Sequence, residues 1–385
     1  MHLARLLEGS VGAEPAPVII NAASAYAGGG ATLALNFLRW LAQQPGAAVV
    51  LVPDLEPFRK VGQSAGFRAV FLPPFSMRGW ARWQFDEQWL PRYCYRQRAR
   101  LLFTLGSIGP ARPPCPHAVL VQNAFYVYGR CAARRRLSPR ARLRLLLEVA
   151  LFRRCVRRAT RVIAQTPVMA ERIAASCAVA PENLRIVENA VEADSLIPLP
   201  RRSASHFRLL TLARYYPHKN LEILPQIVRR LGERAGGFRF LTTVDAADGA
   251  AARRWLRSLR TLGVAQYFEN LGRVEYDRLP ELYAAADAAL VPSLLESSTA
   301  CYAEAMHFGL PIVTSNLDFA RASCAQAAIY CDPFDADAFA RAVLALAADS
   351  QLAGSLTQAG REHARAQGLT WACAAPRLAV AAGIL

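Results

Sequence analysis

The chain is expected to fold as an α/β protein of two domains, each built on a parallel sheet. Short apolar runs alternate with helical segments along most of its length, the pattern of strands covered by helices on both faces. That alternation breaks once, at the Pro- and Arg-containing stretch Asp194–Ser205, and resumes at Phe207. At 385 residues and 53% hydrophobic content, the chain is long enough to bury two cores.

In the first half, Pro17–Ala22 reads as a strand, Ala31–Gln43 as a helix and Ala47–Val52 as a strand. Strands are expected at Arg68–Leu72, Leu101–Leu105, Ala118–Gln122, Arg161–Gln165 and Leu184–Val187. The aromatic stretch Trp80–Tyr95 reads as a helix engaged in packing. In the second half, Arg208–Leu212, Phe238–Val244, Tyr267–Leu271, Ala288–Val291 and Pro311–Thr314 read as strands, with helices between them. Two helices close the chain, around Leu352–Ala366 and Trp371–Ala382. The domain plan is therefore 1–193, a linker at 194–206, a second domain at 207–366 and a terminal helical segment at 367–385.

The net charge of +17 is unevenly spread. Residues 1–195 carry +14, residues 196–385 only +3, and Arg130–Arg161 holds 12 arginines against Glu148 alone. Much of that block reads as a helix, Pro139–Thr160, with Leu143, Leu146, Leu147, Ala150, Leu151 and Val156 interleaved among arginines. A basic amphipathic helix suits an anionic membrane surface; a solvated Arg-rich face is the alternative. Nucleic acid is not the expected partner, because no nucleic-acid-binding module accompanies the charge. No apolar run reaches the length of a membrane span, and Met1–Glu14 has no signal-peptide core or cleavage pattern. Nine cysteines without a Cys-x-x-Cys pair fit a reducing cytosol better than a disulfide framework or a zinc site.

Three segments carry candidate chemistry. Glu296 lies in the loop after the strand Ala288–Val291, and Glu304 lies on the helix Thr299–Phe308. Ser297, Ser298 and Thr299 are N-cap types at the start of that helix, where a phosphate is readily held. Upstream, Leu210–Leu221 reads as a strand, a short loop with the cations Arg214 and Lys219, then a helix. Lys219 is one of only two lysines in the chain. The glycines Gly28, Gly29 and Gly30 sit between the first strand and the first helix, where a backbone can approach a ligand closely. A dinucleotide fingerprint would need a further glycine at position 33, which is Leu33, so a nicotinamide site is not expected despite Asp54 after the second strand. Asp335-Ala336-Asp337 has the form of a metal-binding Asp-x-Asp but precedes a helix that it most simply caps; no metal site is expected.

Together the Leu210–Leu221 and Pro292–Met306 segments, with Gly309–Asn316 after them, resemble the donor-binding domain of retaining glycosyltransferases of family 4. The resemblance is strongest over Phe207–Pro333 and looser across the first half. It implies the GT-B fold, two Rossmann-like domains facing a central cleft, with the last helix packing back on the first domain. By that resemblance Arg214 and Lys219 contact the donor diphosphate, Glu304 the ribose hydroxyls and Glu296 the transferred sugar, with Gly29, Gly30, Ser297, Ser298 and Thr299 also on the donor. Arg214, Lys219 and Glu296 form the implied catalytic set: two cations stabilise the charge that grows on the leaving diphosphate. Gln122 and Asn123 stand on the acceptor side, where many relatives have a His. Ala322 replaces a Glu found in some relatives, and His218 reads as structural rather than catalytic.

The implied activity is a metal-independent retaining transfer with no cofactor beyond the nucleotide-sugar co-substrate. It moves a hexose or deoxyhexose, mannose or rhamnose favoured, to a polyprenyl-pyrophosphate-linked or other glycan acceptor in O-antigen or exopolysaccharide synthesis. The expected place is cytoplasmic, peripheral on the inner face of the plasma membrane. A nucleotide-sugar epimerase and a non-catalytic nucleotide-sugar-binding protein on the same fold remain the alternatives.

Overall fold

Five strands are buried at every position: β1 (Val18–Asn21), β4 (Leu101–Thr104), β5 (His117–Leu120), β11 (Ala288–Val291) and β12 (Ile312–Ser315). Such runs have no wet face, so they belong inside parallel sheets with helices on both sides. The computed structural model describes residues 15–26, 28–63, 66–73, 79–193, 197–200 and 205–385. The stretch Met1–Glu14, and part of the expected linker, lie outside the described residues.

The chain divides into two compact units. The first holds a seven-stranded sheet in the order β3-β2-β1-β4-β5-β6-β7, with β2 (Ala48–Pro53), β3 (Arg68–Leu72), β6 (Arg161–Ala164) and β7 (Leu184–Ile186) completing it. The second holds a six-stranded sheet in the order β10-β9-β8-β11-β12-β13. Its other strands are β8 (Phe207–Thr211), β9 (Phe238–Thr242), β10 (Phe268–Asn270) and β13 (Ala328–Cys331). All strand pairs are parallel. Each sheet therefore reverses its winding once, between β1 and β4 and between β8 and β11. Those switch points open a crevice at the carboxyl ends of the strands, the usual ligand position in such sheets. Each unit thus has a Rossmann-like, doubly wound architecture, as the sequence predicts.

The units are not simple halves. The first comprises 1–129, 139–189 and 371–385; the second comprises 130–138 and 190–370. The helix Trp371–Ala382 thus belongs to the first unit, and Arg100 and Arg161 donate to the carbonyls of Ile384 and Val380 at 2.8 and 3.1 Å. The short excursion Arg130–Ser138 carries a helical turn, Ala132–Arg135, into the second unit, where Arg136 pairs with Glu222 at 2.9 Å.

Local differences from the sequence expectation have identifiable causes. Gly28–Gly30 form the first turn of the helix Gly28–Leu41 rather than a preceding loop, with Gly28 at a φ of +65° that other residues resist. Trp80–Tyr95 is a composite: Gly79–Gln84 is α-helical, Phe85–Trp89 is a π-helical turn and Leu90–Arg96 is α-helical again. The wider turn accompanies stacking of Phe85, Trp89 and Tyr93, with ring centroids 5.1 and 4.7 Å apart. The basic helix ends at Val156 rather than Thr160, and Leu145, Phe152, Cys155 and Val156 are its buried residues.

Candidate functional site

In the second unit, the loops after β8 and β11 meet at the switch point. Thr211 Oγ1, at the end of β8, donates to the Leu290 carbonyl in β11 at 2.9 Å. Beyond it, the backbone amide of Leu294 donates to the His218 carbonyl at 2.7 Å, joining the two loops directly. Asn220 takes a left-handed conformation at φ +57°, and its buried side-chain amide donates to the Pro333 carbonyl at 2.8 Å. These contacts fix where Arg214, Lys219 and Glu296 stand.

Lys219 and Glu296 are brought together: Nζ lies 2.6 Å from Oε1, with side-chain exposures of 16% and 10%. Burial pulls the lysine down, but the Glu296 carboxylate outweighs it and holds the ammonium above its usual value. Burial pushes Glu296 up, but Lys219 and His218 outweigh it and leave the carboxyl below its usual value. Both groups are therefore charged at neutral pH. His218 is driven down to about 4, mainly by burial, and is neutral there.

Arg214 is anchored differently. Its guanidinium pairs with Asp248 at 2.6 Å, while the other Asp248 oxygen accepts from the Tyr215 amide at 3.2 Å. Asp248 is nearly buried at 7% side-chain exposure, whereas Arg214 keeps 46%. The carboxylate orients the arginine and leaves guanidinium surface available to an anion.

Glu304 lies on the helix Ala300–Phe308 and is 4% exposed. Tyr283 Oη donates to its Oε2 at 2.8 Å, and the Tyr283 ring stacks on Phe308 with centroids 4.6 Å apart. Burial lifts the Glu304 carboxyl to about 7, with Tyr283 and Lys219 pulling back against it. Thr299 occupies the N-cap position of this helix, but its side chain makes no capping bond to the helix amides. Ser297, Ser298 and Thr299 are half-buried at that end. The start of the helix thus offers donors suited to an anion.

The first unit places Gly30 and Gln122 side by side. A Cβ on Gly30 would stand 3.0 Å from Gln122 Oε1, and Gln122 Nε2 donates to the Leu105 carbonyl at 3.3 Å. The amides of Gln122 and Asn123 share Ser107 Oγ at 2.8 and 3.2 Å. Ser107 itself sits at φ +62°, an uncommon conformation for a residue with a side chain. Asn123 Oδ1 accepts from the Phe125 amide at 3.0 Å, so it caps the turn that follows β5. Gly29 is exposed at the start of its helix, with open space where a Cβ would stand.

Asp335 caps the helix Ala336–Ala348 by accepting from the Ala338 amide at 3.0 Å, and Asp337 pairs with Arg230 at 3.5 Å. Asp54 pairs with Arg59 at 2.5 Å. These carboxylates are engaged in the fold around them.

Sequence reasoning missed Asp248 and Tyr283. Asp248 had a faint signal, an acidic residue before Gly249 in the turn after β9. Tyr283 had none, because its partner Glu304 is reached only through tertiary packing.

Two family models match the chain: "Glycosyltransferase Family 4" over residues 27–195, and "Glycosyl transferases group 1" over residues 206–349. Among solved structures, sucrose-phosphate synthase from Thermosynechococcus elongatus is similar at a TM-score of 0.73 and 18% identity, covering 95% of this chain and 98% of that one. HepE of Anabaena, solved in complex with UDP-glucose, gives a TM-score of 0.71 and 15% identity, with coverages of 96% and 100%. WaaG, a glycosyltransferase involved in lipopolysaccharide biosynthesis, gives a TM-score of 0.71 and 17% identity, with coverages of 95% and 98%. At these identities the structural likeness speaks for the fold. No curated protein sequence matches the chain.

Proposed function

We propose, from the premise that this chain belongs to the family 4, group 1 glycosyltransferases of GT-B fold, a retaining transfer of a hexose or deoxyhexose from a nucleotide-sugar to a lipid-linked glycan. The observation that carries the reading is the buried Lys219–Glu296 ion pair at the switch point between β8 and β11. A lysine held charged in a poorly hydrated place interacts strongly with any anion that reaches it. An entering diphosphate competes with Glu296 for that ammonium and leaves the carboxylate to accept from hydroxyls of the transferred sugar. Arg214, aimed by Asp248, adds a second cation, and the amides at the start of Ala300–Phe308 add neutral donors.

As the glycosidic bond breaks, negative charge grows on the leaving diphosphate. Groups fixed against that charge stabilise the transition state more than the ground state. Retention follows if the acceptor hydroxyl attacks from the face the diphosphate leaves, giving up its proton to a leaving phosphate oxygen. The scheme runs without a metal ion. Ionised Glu304 accepts from the ribose hydroxyls. Gly29 and Gly30 are proposed on the donor, and Gln122 and Asn123 on the acceptor. Mannose or rhamnose is the favoured sugar, and envelope polysaccharide such as O-antigen the favoured product. HepE was solved with UDP-glucose and WaaG works in lipopolysaccharide synthesis, which supports a nucleotide-sugar donor and an envelope role. The proposed location is the cytoplasmic face of the plasma membrane. Among the described residues no helix is long and apolar enough to cross a membrane.

The test is a thermal-shift panel of nucleotide sugars on the wild type, Glu304→Ala and the double variant Arg214→Ala/Lys219→Ala. A ligand that binds the folded state raises the melting temperature. Stabilisation by one donor, lost in both variants, is the expected result. It leads to an acceptor assay in which the anomeric configuration of the product is read by NMR. Protein that melts cooperatively yet ignores every donor refutes the donor site. Donor isomerised without acceptor indicates an epimerase, and binding without turnover on any acceptor a non-catalytic protein.

A further inference from the structure

The helix Pro139–Val156 is apolar on two opposite faces. Leu145, Phe152, Cys155 and Val156 point into the core of the first unit. Leu143, Leu146 and Leu147 face solvent at 64%, 62% and 64% exposure, and exposed Ala150 lies among them. At the α-helical angle per residue, these four fall within an arc of about 100°, directly opposite the buried set. Burial in the core therefore does not account for the three leucines. A soluble surface normally scatters its large apolar side chains singly.

The flanks of the ridge are cationic. Arg142 and Arg153 border it on one side and Arg140 on the other, with Arg154 near its end, all exposed. The helix's one acid, Glu148, is turned away: it is half-buried, pairs with Arg144 at 2.6 Å and accepts from Tyr126 Oη at 3.3 Å. The outward face thus combines a leucine ridge with positive charge and no acid of its own.

We propose that this face docks on an anionic phospholipid bilayer, with Leu143, Leu146 and Leu147 entering below the headgroups and the flanking arginines on lipid phosphates. A helix lying in the interface plane needs both parts, apolar side chains for the acyl boundary and cations for the headgroups. Other occupants satisfy only one part. A second copy meeting this face across a two-fold axis would set arginine flanks against arginine flanks. A nucleic-acid backbone would meet the cations and leave the leucines in water. The inference rests on the transferase reading only for what the surface brings near, a lipid-linked acceptor.

The experiment is co-sedimentation of the full chain with vesicles of phosphatidylcholine alone or mixed with phosphatidylglycerol. It is run on the wild type, on Leu143→Ser/Leu146→Ser/Leu147→Ser and on Arg140→Gln/Arg153→Gln. Melting with and without nucleotide sugar is measured in parallel. The wild type should bind the mixed vesicles and largely ignore the neutral ones. The leucine variant should lose about tenfold or more in partitioning, and the arginine variant about fivefold per charge removed. Melting and donor response should stay unchanged in both, since every altered side chain is exposed. Wild-type protein that responds to donor but sediments with neither vesicle overturns the docking surface and leaves the transferase reading standing. Vesicle binding intact in the leucine variant also overturns it, by placing the membrane contact elsewhere. A wild-type dimer that the leucine variant converts to monomer, with no vesicle binding, assigns the ridge to self-association. Loss of all donor response with vesicle binding retained refutes the transferase reading alone.

Discussion

Glu304→Gln is expected to make the protein more stable at pH 8 while removing its affinity for donor. Glu304 is 4% exposed, and burial lifts its carboxyl from 4.5 to about 7. Between those values the native state holds a proton that the unfolded chain has released. Stability contributed by this group is therefore fully present below the unfolded value and falls as pH rises through the folded one. By pH 8 the buried carboxylate costs ~3 kcal/mol relative to a carboxyl left at its ordinary value. Glutamine carries no charge, and its side-chain oxygen still accepts from Tyr283 Oη, which stands 2.8 Å from the present carboxylate. Its amide hydrogens need partners of their own, at about 1–3 kcal/mol where they find none, so a net gain of up to ~2 kcal/mol remains. For a unit of this size that is a rise of a few degrees in melting temperature.

The assay is calorimetric melting of wild type and variant from pH 5 to pH 8. The wild type should lose stability across this range faster than the variant, and the two curves should diverge most above pH 7. Donor affinity should run the opposite way in the wild type, weakening as pH falls through about 7 because only the carboxylate accepts from both ribose hydroxyls. In the variant that pH dependence should vanish along with most of the affinity. Parallel melting curves, or a variant less stable than wild type at pH 8, would refute the burial argument. Unchanged donor affinity in the variant would remove Glu304 from the donor site.

Lys219→Met strands Glu296 without its partner at 10% exposure, and should cost ~3–5 kcal/mol in melting experiments; adding Glu296→Gln should restore most of that stability and none of the activity. Asp248→Asn frees Arg214, whose own side chain is 46% exposed, so stability should change by less than ~1 kcal/mol. Donor affinity should nevertheless fall about tenfold, read by calorimetric titration, because a loosened arginine must be re-ordered on binding. Gly30→Ala brings a methyl to 3.0 Å of Gln122 Oε1, the mobile end of a side chain. It should leave melting within ~1 kcal/mol of wild type and weaken donor affinity, read by calorimetric titration.

How much of this was legible in the sequence depends on the range over which each decision is made. Strands such as Ala288–Val291 are buried along their whole length, so a short apolar run announces them. Arg214 and Glu296 follow strand ends, Lys219 ends a short turn and Glu304 lies within the helix Ala300–Phe308; spacing alone leaves such residues ordinary, and the resemblance to family 4 is what singles them out. What these residues touch is another matter. Lys219 and Glu296, expected on different parts of one ligand, also pair with each other, 77 positions apart in sequence, because the loops after β8 and β11 share a hydrogen bond. Asp248 and Tyr283 act through partners chosen by the same packing. The excursion Arg130–Ser138 into the second unit has no local signature either, since Arg136 finds Glu222 across 86 positions.

The basic helix shows the limit of periodicity most clearly. Its sequence registers Leu143, Leu146 and Leu147 as the obvious apolar stripe, and a stripe at helical spacing ordinarily marks the side that packs. The core instead takes Leu145, Phe152, Cys155 and Val156. Both sets have the spacing of a helix face, so the pattern identifies the helix and leaves its rotation undecided. Packing decides it: Phe152 is fully buried and lies 5.2 Å from the Tyr126 ring, while Cys155 Sγ accepts from the Gly109 amide at 3.3 Å. Once those contacts fix the rotation, the leucines are forced outward among arginines. The surplus apolar face is therefore a consequence of a core satisfied by other residues, and it asks for a partner outside the fold.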